Sequence, residues 1–579
     1  MRNFKLPKKS EINRVFAYFS KREWAIFVSL LFVLILSTLL ILSKLNRSFM
    51  VRVPMKGGEV SEGIIGTPRF INPVLAFSDA DRDMVSLVYS GLMRKSADGT
   101  IIPDLAESYE ISKNNLTYTF TLKENQFFHD SRPITVDDII FTITQVKDVV
   151  IKSPYRSNWD GVSVEKIDDR TIAFNLKQPY SAFLENTTLG ILPMHIWDGG
   201  PIELNNANTS PVGSGPYKIE KINKEATGVI NSYELKEWEK FSLGEPYIKT
   251  IKTFFYSNEE ELIKALEDKQ VDQISGITPL SAENLKEENF RVESAVLPRI
   301  FGLFFNQNQN QVFLDKTVIK AIDQAIDKDR IVKEILTGYG VAISDPIPPS
   351  MVAYQKLSKQ IETPREEKIK KATEMLTKAG WVKNKEGYLE KTTTDSKKKK
   401  TTVPLEFSIS TGNAPELAKS AELIKTDLEA IGMRVDIKTF EIGNLNQNVI
   451  RPRKYDALLF GQIINHESDL YAFWHSSQRK DPGLNVAMYT NAKVDKLLEE
   501  AFTTIDDQTR IKKYTDFQIE INKDMPAVFL YSPNFIYVVS NSLSGLNISH
   551  ISNPSDRFLN AYQWYTKTDN VWKIFTKSN

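Results

Sequence analysis

The hydropathy pattern divides the chain unevenly. Ala25–Ser43 is a run of 19 uncharged residues, AIFVSLLFVLILSTLLILS, apolar on every helical face. As a helix rising ~1.5 Å per residue it spans about 28 Å, close to the ~30 Å hydrocarbon core of a bilayer. Beyond it, apolar positions recur at two shorter periods. Leu116–Leu122 (LTYTFTL) alternates and is rich in Thr, Tyr and Phe, which predicts a half-buried strand. Val162–Lys166 and Thr171–Leu176 flank Asp168-Asp169 and predict a hairpin. Thr317–Leu336 sets Val318, Ala321, Ile322, Ala325 and Ile326 on one helical stripe and predicts a single helix. Pro415–Ile431 repeats that pattern through Leu417, Ala421, Ile424 and Leu428, with Gly432 placed as a C-terminal cap. Leu405–Ser410 before that helix, and Val435–Phe440 and Tyr455–Phe460 after it, read as strands, so the fold class is α/β.

Charge changes the picture more than composition does. The 579 residues include 74 Lys+Arg, 73 Asp+Glu, five His and no Cys. Residues 1–56 hold 11 basic side chains against Glu11 and Glu23, a charge of +9, which leaves −8 on the other 523 residues. An acidic body without a basic stripe argues against nucleic-acid binding. Arg2, Lys5, Lys8, Lys9, Arg14, Lys21 and Arg22 precede the apolar run, and Trp24 stands at its edge. Positive charge keeps a short tail in the cytoplasm. The expected order is a cytoplasmic tail (1–23), a transmembrane signal-anchor helix (24–43) and an extracytoplasmic body. A cleaved signal peptide is the alternative. The long tail, the long apolar run and the lack of an A-x-A-like site weigh against it, whereas the small residues Ser37 and Ser43 keep it open. Without cysteine there is no disulfide, thiolate ligand, cysteine nucleophile or lipidated-cysteine tether. The lysine-rich stretch Lys391–Thr402 reads as a solvated hairpin tip, or else as a contact with a membrane surface or partner.

Motifs for chemistry are missing. His466-Glu467 lacks the second histidine of a zinc helix, and His466 and His475 stand nine residues apart without a metal-site rationale. There is no G-x-S-x-G nucleophile elbow and no phosphate-binding G-x-x-x-x-G-K-[ST]. Gly213 and Gly215 lack the third glycine of a dinucleotide loop. No spacing among the 71 acidic residues of the body marks a glycosidase pair. The chain is expected to be no enzyme, to need no cofactor and to hold no metal.

One segment points elsewhere. Asp104–Ile143, DLAESYEISKNNLTYTFTLKENQFFHDSRPITVDDIIFTI, resembles the family 5 bacterial extracellular solute-binding proteins, the peptide- and nickel-binding components of ABC importers. Locally it makes physical sense: Thr135 and Asp138 have the spacing of a capping box, with His129-Asp130 in the preceding turn. The resemblance continues in order through Asn72-Pro73, Tyr89–Leu92, Asp168–Thr171, Gly213–Tyr217, Phe305-Asn306, Val318–Asp327, Asp345–Pro349, Asn485–Tyr489 and Val494–Leu498. It covers most of residues 57–579. What it implies is a two-lobe periplasmic-binding-protein-like fold of type II. Lobe I would comprise 57–93, 210–272 and 525–579, with a subdomain inserted at 94–209, and lobe II would comprise 273–524. A ligand in the cleft closes the lobes by favouring the closed state.

By the same resemblance, an extended peptide adds like a strand between Phe77-Ser78-Asp79 and Gly461-Gln462-Ile463. The family's ammonium-pairing Asp falls at Asn465, which leaves Glu467 or Asp469 to take over, and Gln462 stands where the family has Trp. Trp474 is a candidate pocket aromatic, as are Trp159 and Tyr155, although each also suits a core. The polar run Asn306–Gln311 either faces the cleft or forms a turn. The implied partners are an oligopeptide or similar solute, an ABC permease, and a membrane reached through the N-terminal helix, with a monomeric ectodomain. A tethered peptide sensor or chaperone on the same fold is the alternative, and a hydrolase a third reading.

Overall fold

The computed structural model describes residues 17–354, 363–394 and 400–576. Arg2, Lys5, Lys8, Lys9 and Arg14, and residues 395–399 of the lysine tip, lie outside the described residues. The chain forms two compact units.

The smaller unit joins the two ends of the chain, Met1–Met55 and Thr566–Asn579. Its helix, Lys21–Phe49, opens on a capping box in which Ser20 and Glu23 exchange backbone bonds, and none of its 29 residues is buried. It is long and apolar enough to cross a membrane. It runs straight into the strand Met50–Met55, which pairs antiparallel with Lys567–Trp572. Trp572 Nε1 donates to Asn46 Oδ1 at 2.8 Å, tying the C-terminal strand back to the helix.

The larger unit, Lys56–Tyr565, is mixed α/β, as the two hydropathy periods predict. Its largest sheet among the described residues has twelve strands, ten of them in the order 434–440, 406–412, 457–463, 299–305, 527–539, 273–275, 59–65, 250–256, 230–237 and 217–224. Parallel pairs are bridged by helices: Pro415–Ala430 lies between Glu406–Gly412 and Arg434–Phe440. Gly432 ends that helix at φ +90°, and the N–H groups of Gly432 and Met433 bond back to Glu429 and Leu428. This is the cap the sequence pattern predicts.

The 13-residue strand Ala527–Val539 belongs to both halves of the sheet. Its later part, Asn534–Val539, pairs with Arg291–Val296, and its earlier part, Ala527–Tyr531, pairs with Arg299–Phe305. Between these ladders each strand carries a proline, Pro298 and Pro533, and the Leu297 N–H reaches Pro533 O at 2.9 Å. Pairing partners change at this crossing. Residues 273–275 and 291–296, which the sequence reading groups with 273–524, pair on the 59–65 side of it.

A four-stranded antiparallel sheet, ordered 106–111, 117–122, 171–176, 162–166, stands apart. The hairpin at Asp168-Asp169 forms as the sequence predicts. Strand Thr117–Leu122 alternates half-buried and buried positions. Its Tyr118 and Phe120 pack with Trp159, Phe174 and Phe183, so Trp159 is a core residue. The capping box at Thr135 forms, with the Asp138 carboxylate accepting the Thr135 N–H at 2.9 Å. His129 is structural: its Nδ1 accepts the Gly213 N–H, and its Nε2–H donates to Gly215 O at 3.0 Å. Burial, against that bond to Gly215, holds its pKa down at about 4, so the ring is neutral.

One expectation fails. Thr317–Leu336 is not one helix but two, Lys316–Ala325 and Lys328–Glu334. Ile326 turns extended (ψ 124°), the Asp327 N–H donates to the buried Asp427 carboxylate, and the Asp327 carboxylate takes Lys368 at 2.7 Å. Tertiary hydrogen bonds from outside the window override the local period.

Beside helix Asp79–Val88, a wholly buried charge network holds the C-terminal segment to the sheet. Arg557 donates Nε to Glu62 (2.9 Å) and both Nη groups to Asp83 (2.8 and 2.6 Å). Tyr537 of the long strand joins Glu62 at 2.7 Å. Burial pushes the Glu62 carboxyl up to about 7, against the pull of Arg557. A carboxyl with a folded pKa above its unfolded value adds stability that is full below about 4.5 and is lost as pH rises through about 7. The full chain is therefore expected to gain thermal stability on acidification from pH 8 to pH 5. Glu62→Gln should remove a share of that gain worth about 1–3 kcal/mol, measured as the difference between the two melting profiles. Identical pH slopes in wild type and variant would contradict it.

Candidate ligand-binding site

A cavity of about 510 Å³ opens at the strand crossing. Its walls come from both halves of the sheet: Ile64 and Ser275 from one, Phe301 and Tyr531 from the other, with Arg299 between them. Helix Asp79–Val88 adds Asp79 and Asp83, and the helix beginning at Pro415 adds Glu416. The Phe301 and Tyr531 rings stack at 4.9 Å with 13° between their planes, giving a flat apolar wall.

Gly461 makes that wall possible. It lies opposite Phe301 in the antiparallel ladder, and a Cβ there would stand 2.7 Å from the Phe301 ring. The strand Ala457–Ile463 pairs along its whole length with Arg299–Phe305. On its other edge, pairing with Glu406–Gly412 ends at Leu459. The backbone of Gly461, Gln462 and Ile463 therefore has an open edge beside the cavity, which an extended chain can join as a further strand. Ile463 is exposed and shares the face of Arg299 and Phe301. Gln462 points the other way, beside Ile300, and neither end of its buried amide has a hydrogen-bond partner.

Phe77–Asp79 is built differently. Ser78 caps helix Asp79–Val88: its N–H and Oγ bond with Asp81, and its carbonyl accepts the Arg82 N–H. The Phe77 carbonyl accepts Arg82 Nη1 at 2.6 Å. Helix capping thus occupies most of the backbone groups of Phe77 and Ser78, while the Phe77 ring is exposed. Asp79, on the cavity wall, pairs with Arg82 at 2.5 Å.

The loop after Gly461–Ile463 is tied to itself and to its surroundings. Asp469 accepts the N–H groups of Asn465 (2.9 Å) and His466 (3.0 Å). Glu467 accepts the Ala353 N–H at 2.9 Å and meets Arg510 at 3.4 Å. Asn465 Oδ1 is buried without a partner. Trp474 is wholly buried among Phe304, Tyr489, Phe517 and Phe529, away from the cavity wall. Tyr155 is part-buried against the core around Trp159. In the Asn306–Gln311 run, Asn306 is buried and donates to Arg453 O at 2.9 Å, which settles that run as a turn. Among the described residues, no group of three or more His, Asp or Glu side chains is arranged to hold a metal ion.

A further meeting point joins distant parts of the chain. Tyr180 stacks on Phe502 at 4.8 Å, and the Ser181 N–H donates to Phe502 O at 3.1 Å. Beside them the Glu185 carboxylate sits against His466 Nδ1. Burial holds that imidazole below its usual pKa.

The family is decided by comparison with known proteins: the model of "Bacterial extracellular solute-binding proteins, family 5 Middle" matches residues 100–483. The chain belongs to this family. Its members are the substrate-binding proteins of ABC transporters, and they are not enzymes. The oligopeptide-binding protein AppA of Bacillus subtilis is 29% identical over 525 residues, 88% of this chain and 92% of that protein. The structure of B. subtilis AppA in complex with a nonapeptide superposes with a TM-score of 0.64 at 28% identity, covering 89% of this chain and 99% of that one. Campylobacter jejuni NikZ in complex with Ni(L-His) gives 0.68 at 26% identity, covering 88% and 99%.

Arg299, Phe301 and Tyr531 are the wall residues that sequence reasoning missed. A signal was there: RIFGLFF places a lone cation, behind a proline, at the head of an otherwise apolar strand. Gly461→Ala tests the wall. It should destabilise the full chain by roughly 1–3 kcal/mol, the usual range for overpacking, read from denaturant unfolding. In a Phe301→Leu background the penalty should shrink, and an equal penalty in both backgrounds would refute the contact as its cause.

Proposed function

We propose that this protein is the peptide-capturing component of an ABC importer, held at the outer face of a membrane by Lys21–Phe49. The observation that carries this reading is the open backbone edge of Gly461–Ile463 beside the 510 Å³ cavity. Main-chain bonds along such an edge hold a peptide irrespective of its sequence, and the cavity accepts side chains. The known binding of a nonapeptide by the AppA relative agrees with it.

Two lobes meet at the crossing of Pro298 and Pro533, with residues 94–209 as a subdomain inserted in the first, and the lobes close on the ligand. Phe77–Asp79 would contribute one wall, chiefly through the Phe77 ring and the Asp79 carboxylate. Gly461, Gln462 and Ile463 would contribute the other through their backbone. Asn465, Glu467 and Asp469 support that edge by ordering the loop behind it, and Trp474 supports it from the core. The closed complex, a monomer, delivers its ligand to a permease.

Retention of the helix is supported by the order of the residues behind it. The helix passes into strand Met50–Met55 without a linker, and that strand pairs with Lys567–Trp572.

Native mass spectrometry of the detergent-solubilised full chain is expected to release co-purified peptides, and added peptides should raise its melting temperature. A homogeneous sugar or metal complex, or an empty protein that no peptide stabilises, would sink the peptide reading. Sequencing the N-terminus of the protein from the membrane fraction tests the anchor separately. Residues 1–43 should be intact, and a new N-terminus between 44 and 57 would refute it.

A further inference from the structure

Arg299 is the unusual charge in this molecule. Among the described residues its part-buried side chain makes no hydrogen bond and no ion pair, and its Nε is enclosed without a partner. Burial holds its pKa below the usual guanidinium value, and the charges that act on it are those of Asp79 and Arg82. A guanidinium nevertheless stays protonated at any physiological pH. Withdrawing a cation even partly from water without a counter-charge in contact costs free energy.

The carboxylates nearby are already engaged. Asp79 pairs with Arg82. Asp83, on the same wall, takes two bonds from Arg557. In the loop after Ile463, Glu467 is held by Arg510 and Asp469 by backbone N–H groups. Glu416, on the first turn of its helix, is the remaining carboxylate of the cavity wall, and it forms no ion pair with Arg299.

Position completes the case. Arg299 follows Pro298 where the ladder between the crossing strands is interrupted, and it lies directly opposite Ile463 on the cavity face. A peptide joined to the open edge of Gly461–Ile463 is separated from Arg299 by that one strand, on the face that Arg299 shares with Ile463.

We propose that Arg299 is a ligand-binding residue that recognises a carboxylate of the captured peptide through its free guanidinium edge. That carboxylate is either the peptide's C-terminus or an acidic side chain. The planar fork of arginine suits either one. The proposal rests on the peptide reading above and adds a polarity to it: the cation that Arg299 presents on the cavity wall selects an anionic group.

The test uses detergent-solubilised full chain, as wild type, Arg299→Gln and Arg299→Lys. Calorimetry would follow binding of three randomised nonapeptide pools: free C-termini, amidated C-termini, and amidated C-termini without Asp or Glu. Wild type should bind the carboxylate-free pool at least tenfold more weakly than the first, a difference of ~1.4 kcal/mol. The middle pool tells the sources apart, since it binds weakly only if the C-terminus is the group recognised. Arg299→Gln should abolish the discrimination, and Arg299→Lys should restore part of it. Unliganded Arg299→Gln should melt no lower than wild type, because it loses a part-buried charge that has no ion-pair partner.

Equal binding of all three pools by wild type would overturn this proposal and leave the peptide reading standing. So would discrimination that survives in Arg299→Gln. Failure of every pool to bind wild type would overturn both.

Discussion

The pairing of one strand with two different neighbours constrains everything else in the larger unit. Ala527–Val539 runs through both halves of the twelve-stranded sheet, and Arg291–Phe305 crosses beside it with Pro298 at its break. A proline carries no N–H and cannot donate to a ladder. With Pro298 and Pro533 both at the crossing, the ladder between these two strands is interrupted, and the Arg299 N–H turns back to Leu297 O at 2.8 Å. On its other edge Tyr531–Pro533 is held by the short strand Gly340–Ala342. The cavity opens where the first ladder is interrupted, lined by Leu297, Arg299 and Pro533.

Two arginines near this crossing, one wholly buried and one part-buried, differ in how their charge is met. Arg557 has two carboxylates in contact, and although burial alone would lower its pKa, those two charges raise it. Replacing one partner in such a network leaves the others uncompensated, which makes it rigid and intolerant of change. Arg299 sits on the opposite footing: its surroundings withdraw solvent, and no carboxylate among the described residues forms an ion pair with it. Asp83 connects the two, because it lines the cavity yet is fully committed to Arg557. The network thus also keeps a nearby acid from neutralising the cation that the cavity presents.

The sequence made local structure legible where the deciding contacts were local. The hairpin at Asp168-Asp169, the capping box at Thr135 and the Gly432 cap depend on residues within a few positions of one another. The helix Thr317–Leu336 was misread because what breaks it, Asp427 and Lys368, lies 100 and 41 residues from Asp327. The site follows the same rule. Gly461–Ile463 was legible through a family resemblance, and its open edge is a fact of where a neighbouring strand stops. Phe301, Tyr531 and Arg299 form a wall only because strands far apart in the chain lie side by side, and no periodicity within either strand announces that. Glu467 and Asp469 looked available in sequence because carboxylates in a loop always do, and their partners appear only on folding.

The unit made from the chain ends bears on how such a body is tethered. A binding protein held by a lipidated cysteine hangs from a flexible linker, and this chain has no cysteine. Here an apolar helix passes at Phe49 into a strand with no intervening linker, and that strand pairs residue for residue with Lys567–Trp572. Cleavage before Met50 would leave the two-stranded pair intact but remove Asn46, the acceptor of the Trp572 indole N–H, and Phe49, whose ring lies 6.4 Å from it. The C-terminal strand therefore fits against the end of the helix. That fit, the basic residues before the apolar run and the acidic body after it fall into order if the helix stays in the membrane with the C-terminal strand clasped at its outer end.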